Sequence, residues 1–279
     1  MNLGIAHISR RTVTIAVAFA GLVSLVLGAH AALNKRSLDA AKAIGAEQTG
    51  SIGRTANRVA LVIGNGHYPD ASAPLAQPIN DARGLTAALR GNGFDVDVVE
   101  DATKDDMARA VSRLKERINP DSVVMLFFGG YGVQVGRESF MIPVDAKIWK
   151  ETDVRRDGVS IEQVLDAMSE KGAKAKLVVV DASRRNPYER RFRSYSHGLA
   201  PISAPENALV LTSASPGKVA DDGNGQYSVL VTELLNNLDS QAGAASAFNK
   251  TRISVSRASD GEQVPQVSSS LLEDVRIGG

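Results

Sequence analysis

Val123 to Gly132 reads VVMLFFGGYG, and Leu177 to Arg184 reads LVVVDASR. Each is an unbroken apolar run that stops abruptly at a small, polar tail. Short apolar runs rich in β-branched and aromatic residues read as strands buried on both faces. Val59–Ile63 (VALVI) and Ala208–Leu211 (ALVL) repeat the pattern, and Phe94–Val99 adds a strand between them. The stretches between these runs carry helical stripes. Asn80–Asn92 puts Ala82, Leu85 and Leu89 on one face, closed by Gly93. Thr103 caps a helix with Met107, Val111, Leu114 and Ile118 in line. Ser160 and Gln163 make a capping box ahead of Ile161, Val164, Leu165 and Met168. Leu230, Leu234 and Leu238 mark a further helix, and Ala244–Ser259 another, while Phe140–Pro143 suggests a short hairpin arm. Alternating strands and helices predict an α/β fold, a mostly parallel central sheet with helices on both faces. Ligands of such sheets bind at the carboxyl ends of the strands. The loops after Phe128 and Val180 are therefore the places to look for chemistry.

The 279 residues, 43% hydrophobic and 23% charged, are ordinary globular composition. A net charge of +1 argues against nucleic-acid binding as the main task. The absence of cysteine excludes disulfides, thiolate metal sites and thiol nucleophiles.

The N-terminus reads as an address. Arg10 and Arg11 precede an apolar run from Val13 to Leu27, and Ala29-His30-Ala31 fits a small-x-small cleavage site. Residues 1–31 are thus a signal peptide, or an uncleaved membrane anchor through residues 13–33. Either reading predicts an exported protein, periplasmic or secreted. Residues 32–56 are polar and aperiodic and read as a linker. The globular domain is expected over 57–279, with its core in 57–240 and a C-terminal helix and tail in 241–279.

The ordered motifs resemble the caspase-like peptidases, in the metacaspase and bacterial orthocaspase branch. That family places Gly-His-Gly and Asp-x-Cys-Arg after the two strands quoted above. Here those positions hold Gly130-Tyr131-Gly132 and Asp181-Ala182-Ser183-Arg184. Asn80-Asp81-Ala82, Pro143-Val144-Asp145, Asn186-Pro187-Tyr188, Gly198-Leu199-Ala200-Pro201 and Gln263-Val264-Pro265 extend the likeness. The resemblance implies a caspase-like three-layer sandwich. It also implies a catalytic pair at Tyr131 and Ser183, an oxyanion hole from the backbone amides of Gly132 and Ser183, and a pocket for a basic side chain lined by Asp81 and Asp181.

The departures from the family pattern matter most. A thiolate attacks the peptide carbonyl in the family, and a histidine manages the protons. Serine is a weaker nucleophile without a base, and a tyrosine hydroxyl, titrating near pH 10, is no base at neutral pH. Changing both residues removes nucleophile and base together. No G-x-S-x-G elbow surrounds Ser183. Of the four histidines, only His67 and His197 lie in loops that can approach the cleft, and an exposed loop position is the plainer reading for each.

Three weaker signals remain. Gly64-Asn65-Gly66 lacks the third glycine of a dinucleotide loop, and Pro69 stands where a helix would begin. Arg184, Arg185, Arg190, Arg191 and Arg193 form a basic stretch, read as a solvated loop or as a segment that docks into an acidic groove. Asp221 and Asp222 beside Gly223 and Gly225 make a flexible acidic turn, with calcium as the weaker alternative, and no other metal or cofactor is expected.

The sequence thus points to a non-catalytic caspase-like domain that binds a peptide or protein through basic residues. The alternative is a residual or rewired endopeptidase that cleaves after Arg or Lys through Ser183. A purely structural domain with a dead cleft is a third reading, and it predicts no ligand.

Overall fold

The computed structural model describes residues 57–69, 74–184, 186–188, 198–220, 225–238 and 243–278. The expected signal or anchor (1–31), the linker (32–56), most of the basic stretch, His197, Asp221 and Asp222 lie outside the described residues.

Along the chain come β1 (Arg58–Gly64), α1 (Pro78–Gly91), β2 (Asp95–Glu100), α2 (Lys104–Arg117) and β3 (Val123–Gly129). Then follow β4 (Gly132–Val135), β5 (Glu138–Met141), α3 (Glu151–Asp157), β6 (Val159–Ser160) and α4 (Ile161–Glu170). The last are β7 (Ala175–Asp181), β8 (Ala208–Thr212), α5 (Val229–Asn237), α6 (Ala244–Ala258) and β9 (Gln266–Ser269).

The central sheet has the order β2-β1-β3-β7-β8-β9, parallel except for β9. Side chains alternate across a strand, so each apolar run feeds two cores. Ala60, Val62, Met125, Phe127, Leu177 and Val179 pack under α1, α5 and α6. Leu61, Ile63, Leu126, Phe128, Val178 and Val180 pack under α2 and α4. The unbroken apolar strands are thereby explained, because neither face meets water. The expected α/β sandwich with helices on both faces is what forms.

The fold reaches past residue 240. Helix α6 sends Ala244, Ala247, Phe248 and Val255 into the first core, and β9 closes the sheet against β8. The expected C-terminal helix forms, and it and the stretch after it contribute to the core rather than lying outside it. At the opposite edge, β2 carries Asp95, Asp97 and Glu100 against Arg117, Arg113 and Arg83 at 2.5, 2.8 and 2.6 Å. Exposed pairs of this kind contribute about 0–1 kcal/mol each. Their clearer effect is to make the edge a poor template for another strand.

Helix α2 starts with a reciprocal cap: Thr103 Oγ1 accepts from the Asp106 amide, and Asp106 Oδ2 accepts from the Thr103 amide, both at 3.2 Å. At α4 the Ser160 half of the expected box forms, with Ser160 Oγ accepting from the Gln163 amide at 3.2 Å. A small sheet of β4, β5 and β6 lies beside the carboxyl ends, over a third cluster that includes Tyr68, Tyr131, Phe140, Ile142 and Tyr188.

Candidate functional site

Strands β3 and β7 are parallel neighbours in register from Val123/Ala175 to Gly129/Asp181. Two residues beyond that last pair stand Tyr131 and Ser183. The pairing does not stop at the strand ends. Gly130 N–H donates to the Asp181 carbonyl at 3.2 Å, and Gly132 N–H donates to the Ala182 carbonyl at 3.1 Å. The two loops are therefore zipped together where the family would carry its chemistry.

Glycine at 130 and 132 is dictated by space. A Cβ on Gly130 would lie 2.6 Å from Tyr68 Oη and 2.8 Å from Phe128 Cζ; one on Gly132 would lie 2.6 Å from Leu199 Cδ2. Tyr131 is buried, with its ring edge-on to Tyr68 at a centroid distance of 4.8 Å. Tyr68 Oη donates to the Ile142 carbonyl at 2.9 Å and accepts from the Tyr131 amide at 3.0 Å. Burial pushes the Tyr68 hydroxyl well above its usual titration range, so it stays a donor.

Ser183 is 1% exposed. Its amide donates to Ser213 Oγ at 3.3 Å, and its carbonyl accepts from Ala220 N–H at 2.6 Å. Its Oγ has no hydrogen-bond partner among the described residues. Both amides assigned to the oxyanion hole, Gly132 and Ser183, thus already have internal acceptors. Gln263 adds a tie from the C-terminal region, donating from Nε2 to the Ser213 carbonyl at 2.9 Å.

His67 turns away from Ser183. Its Nδ1 lies 2.6 Å from Asp101 Oδ2, and its side chain is 74% exposed. Asp101 follows β2 and His67 follows β1, whereas Ser183 follows β7 with β3 between. At ordinary strand spacing that is about 10 Å of sheet. Burial alone would raise the Asp101 carboxyl, but the amides of His67 and Gly66 and the His67 ring outweigh it and hold it below its usual range.

Asp81, on the first turn of α1, and Asp181, at the end of β7, are 0% and 2% exposed. Asp81 Oδ1 accepts from the Ser228 amide at 2.8 Å, so it also anchors the start of α5. Burial, reinforced by the Asp181 carboxylate, pushes Asp81 up to about 8. Arg184 partly offsets this. It is 5% exposed, and its guanidinium donates from Nη1 to the carbonyls of Gly130, at 3.0 Å, and Asp181. The same nitrogen lies 3.6 Å from Asp181 Oδ1. The Oδ2 atoms of both acids are buried without a partner among the described residues, as is Asn186 Nδ2.

A family model for the caspase domain, peptidase family C14, matches residues 57–276. This chain belongs to the caspase family. A stretch of 144 residues is 30% identical to human mucosa-associated lymphoid tissue lymphoma translocation protein 1. That stretch is 51% of this chain and 17% of the human protein. The mouse homolog is 31% identical over the same shares of each chain. The chain therefore matches only a small part of these curated relatives.

Two features of the site go beyond what the sequence settles. Arg184 belongs to a stretch that reads as a solvated loop or as a segment docking into an acidic groove, and the structure buries it against the acids. Asn65 lies in the failed dinucleotide loop, yet it is fully buried and clamps the strand-end loops. It accepts from Ala102 N–H at 2.8 Å and donates to the Ile142 and Ala102 carbonyls at 3.2 and 3.4 Å. The signal available is a polar residue held between glycines directly after a buried strand. Its partners lie in loops remote in sequence.

Proposed function

We propose that this caspase-family domain is a non-catalytic module that binds a peptide or protein through a basic side chain. The observation that carries this reading is Ser183: a buried hydroxyl with no hydrogen-bonded base among the described residues. Serine needs such a base to attack a carbonyl. A second support is that Gly132 and Ser183 spend their amides on internal acceptors, which removes the donors that would stabilise an oxyanion. The buried acid pair favours a basic ligand, and the ordered motifs favour the metacaspase and orthocaspase branch. The address-like segment before residue 32 supports export, with a membrane tether where the apolar run is retained.

Incubating the purified domain with Arg-, Lys- and Asp-ended peptides tests the reading when binding and cleavage are scored separately. Binding of the basic peptides without product is expected. Turnover that vanishes in Ser183→Ala would make the domain an endopeptidase working through Ser183. No binding of any peptide would make it a structural domain.

A further inference from the structure

The two edges of the central sheet are built differently. At one, β2 sets Asp95, Asp97 and Glu100 against arginines, so an approaching strand meets charge. At the other, β9 reads Gln266-Val267-Ser268-Ser269, with neither charge nor proline. Ser270 N–H donates to the Ala208 carbonyl at 2.8 Å, and Ser268 and Gln266 stand opposite Val210 and Thr212 of β8. Backbone groups alternate sides along an antiparallel strand, so Gln266, Ser268 and Ser270 direct their amides at β8. Val267 and Ser269 therefore turn theirs outward, and neither amide has a partner among the described residues.

A cleft of about 300 Å³ lies beside the start of this edge, lined by Ser215, Asn249, Arg252, Val264, Pro265 and Val267 among others. Arg252, half-buried on α6, has no hydrogen-bond or ion-pair partner among the described residues. Helix α6 carries Lys250, Arg252 and Arg257 and no acid, and no acid lines the cleft. Val264 is exposed at the cleft, and Leu272, three residues beyond the far end of β9, is exposed as well. Open backbone donors, an unpaired cation and exposed apolar side chains thus gather along one edge.

We propose that β9 takes an acidic, extended segment of a partner protein as an added strand. Its backbone pairs with Val267 and Ser269, and one of its carboxylates enters the cleft to meet Arg252. This surface lies at the lateral edge of the sheet, apart from the loops of Tyr131 and Ser183, and is independent of the basic-ligand reading above. Main-chain bonds supply attraction to any extended chain, and the guanidinium, which pairs with a carboxylate through two N–H groups, supplies the selection. A second copy of this chain fits worse. Pairing β9 with β9 would bring two α6 helices to one seam, each cationic and without an acid to answer the other.

The test is fluorescence anisotropy of the full chain with short labelled peptides of Thr and Val that carry one Glu near one end or the other, to cover both strand directions. A Glu peptide should bind about tenfold or more tightly than its Gln counterpart, as a charge-assisted bond requires. Arg252→Gln should erase that difference. N-methylation of alternate peptide residues should abolish binding in one parity and spare it in the other, because only one set of amides faces β9. Val267→Pro removes an outward donor while the β8 ladder keeps the Gln266 and Ser268 amides, so it should fold and lose the peptide. Should that variant not fold, the methylated peptides decide. Equal binding of the Glu and Gln peptides, equal effects of the two methylation parities, or no binding would each overturn the proposal. A dimer of the full chain that Val267→Pro dissociates would also overturn it, by giving the edge to a second copy.

Discussion

Gly132 donates its amide to the carbonyl of Ala182 at 3.1 Å. This bond continues the β3–β7 ladder past the strands and into the loops that carry Tyr131 and Ser183. It is the ordinary outcome of two parallel strands in register with a glycine at the tip. Where an enzyme would leave that donor facing a developing oxyanion, the donor here is spent on holding the loops together. Local stability and catalytic readiness compete for one N–H group.

Asp81 should make the protein less stable as pH rises. Its folded-state titration is pushed up to about 8 from an ordinary 3.8. Between those values the folded protein holds a proton that the unfolded chain has released, so unfolding stability falls with increasing pH and levels off above about 8. Asp81→Asn removes this dependence while still accepting from Ser228. Relative to wild type, the variant should gain at least about 1 kcal/mol on going from pH 5 to pH 8, since one pKa unit is worth about 1.4 kcal/mol. Parallel stability curves in urea at the two pH values would refute the assignment.

Tyr68→Phe should destabilise the domain. The lost hydroxyl leaves the Tyr131 amide and the Ile142 carbonyl buried and unmet. Orphaning buried groups costs about 1–3 kcal/mol each. A loss of about 2–4 kcal/mol in chemical denaturation is expected. A change below about 0.5 kcal/mol would mean that water reaches this cluster.

The sequence is most informative where physics is local. VALVI, VVMLFF, LVVV and ALVL are apolar on both faces, and only a strand under two helical layers satisfies them. Helix α3 escapes a sequence reading because ETDVRRD offers one buried apolar side chain, Val154, and no stripe. It is held by Asp153, whose Oδ2 accepts from the Trp149 and Lys150 amides at 3.1 and 3.2 Å. Strand β9 (QVSS) escapes because an edge strand needs little hydrophobicity, and its partner β8 lies far away in sequence. At the site, motif order makes the positions of Tyr131, Ser183, Asp81 and Asp181 legible. The hydrogen bonds that consume the Gly132 and Ser183 amides are not legible, since both acceptors, Ala182 and Ser213, are set by sheet register and not by side-chain type. The place of Arg184 is not legible because five arginines in ten residues read equally as a solvated loop or as a segment docking into an acidic groove.

Export predicts a specific terminus. If the apolar run is a signal, N-terminal sequencing of protein from the native host should begin at Ala32. If it is an anchor, the full chain should fractionate with membranes and resist extraction by high salt. Full-length protein recovered soluble from the cytoplasm would refute both.

The most demanding prediction rebuilds the dyad. Tyr131→His with Ser183→Cys supplies a nucleophile and a base in loops already held side by side. The acid pair remains, so any cleavage should follow Arg or Lys and never Asp. The rate should still fall short of an active, basic-specific caspase-family enzyme assayed alongside. One lost oxyanion donor costs about 10²- to 10³-fold in kcat, and here the Gly132 amide is committed to Ala182. Losing the Tyr131 ring also removes the edge contact with Tyr68, so the thermal transition should be measured in parallel. Alkylation should show a reactive thiol at position 183 of the double variant whether or not peptide is cut, which separates nucleophile from oxyanion defects. Cleavage at the rate of the active enzyme would mean that the Gly132–Ala182 bond yields to substrate without cost. A folded variant with a reactive thiol and trace, Arg- or Lys-specific turnover is the expected result.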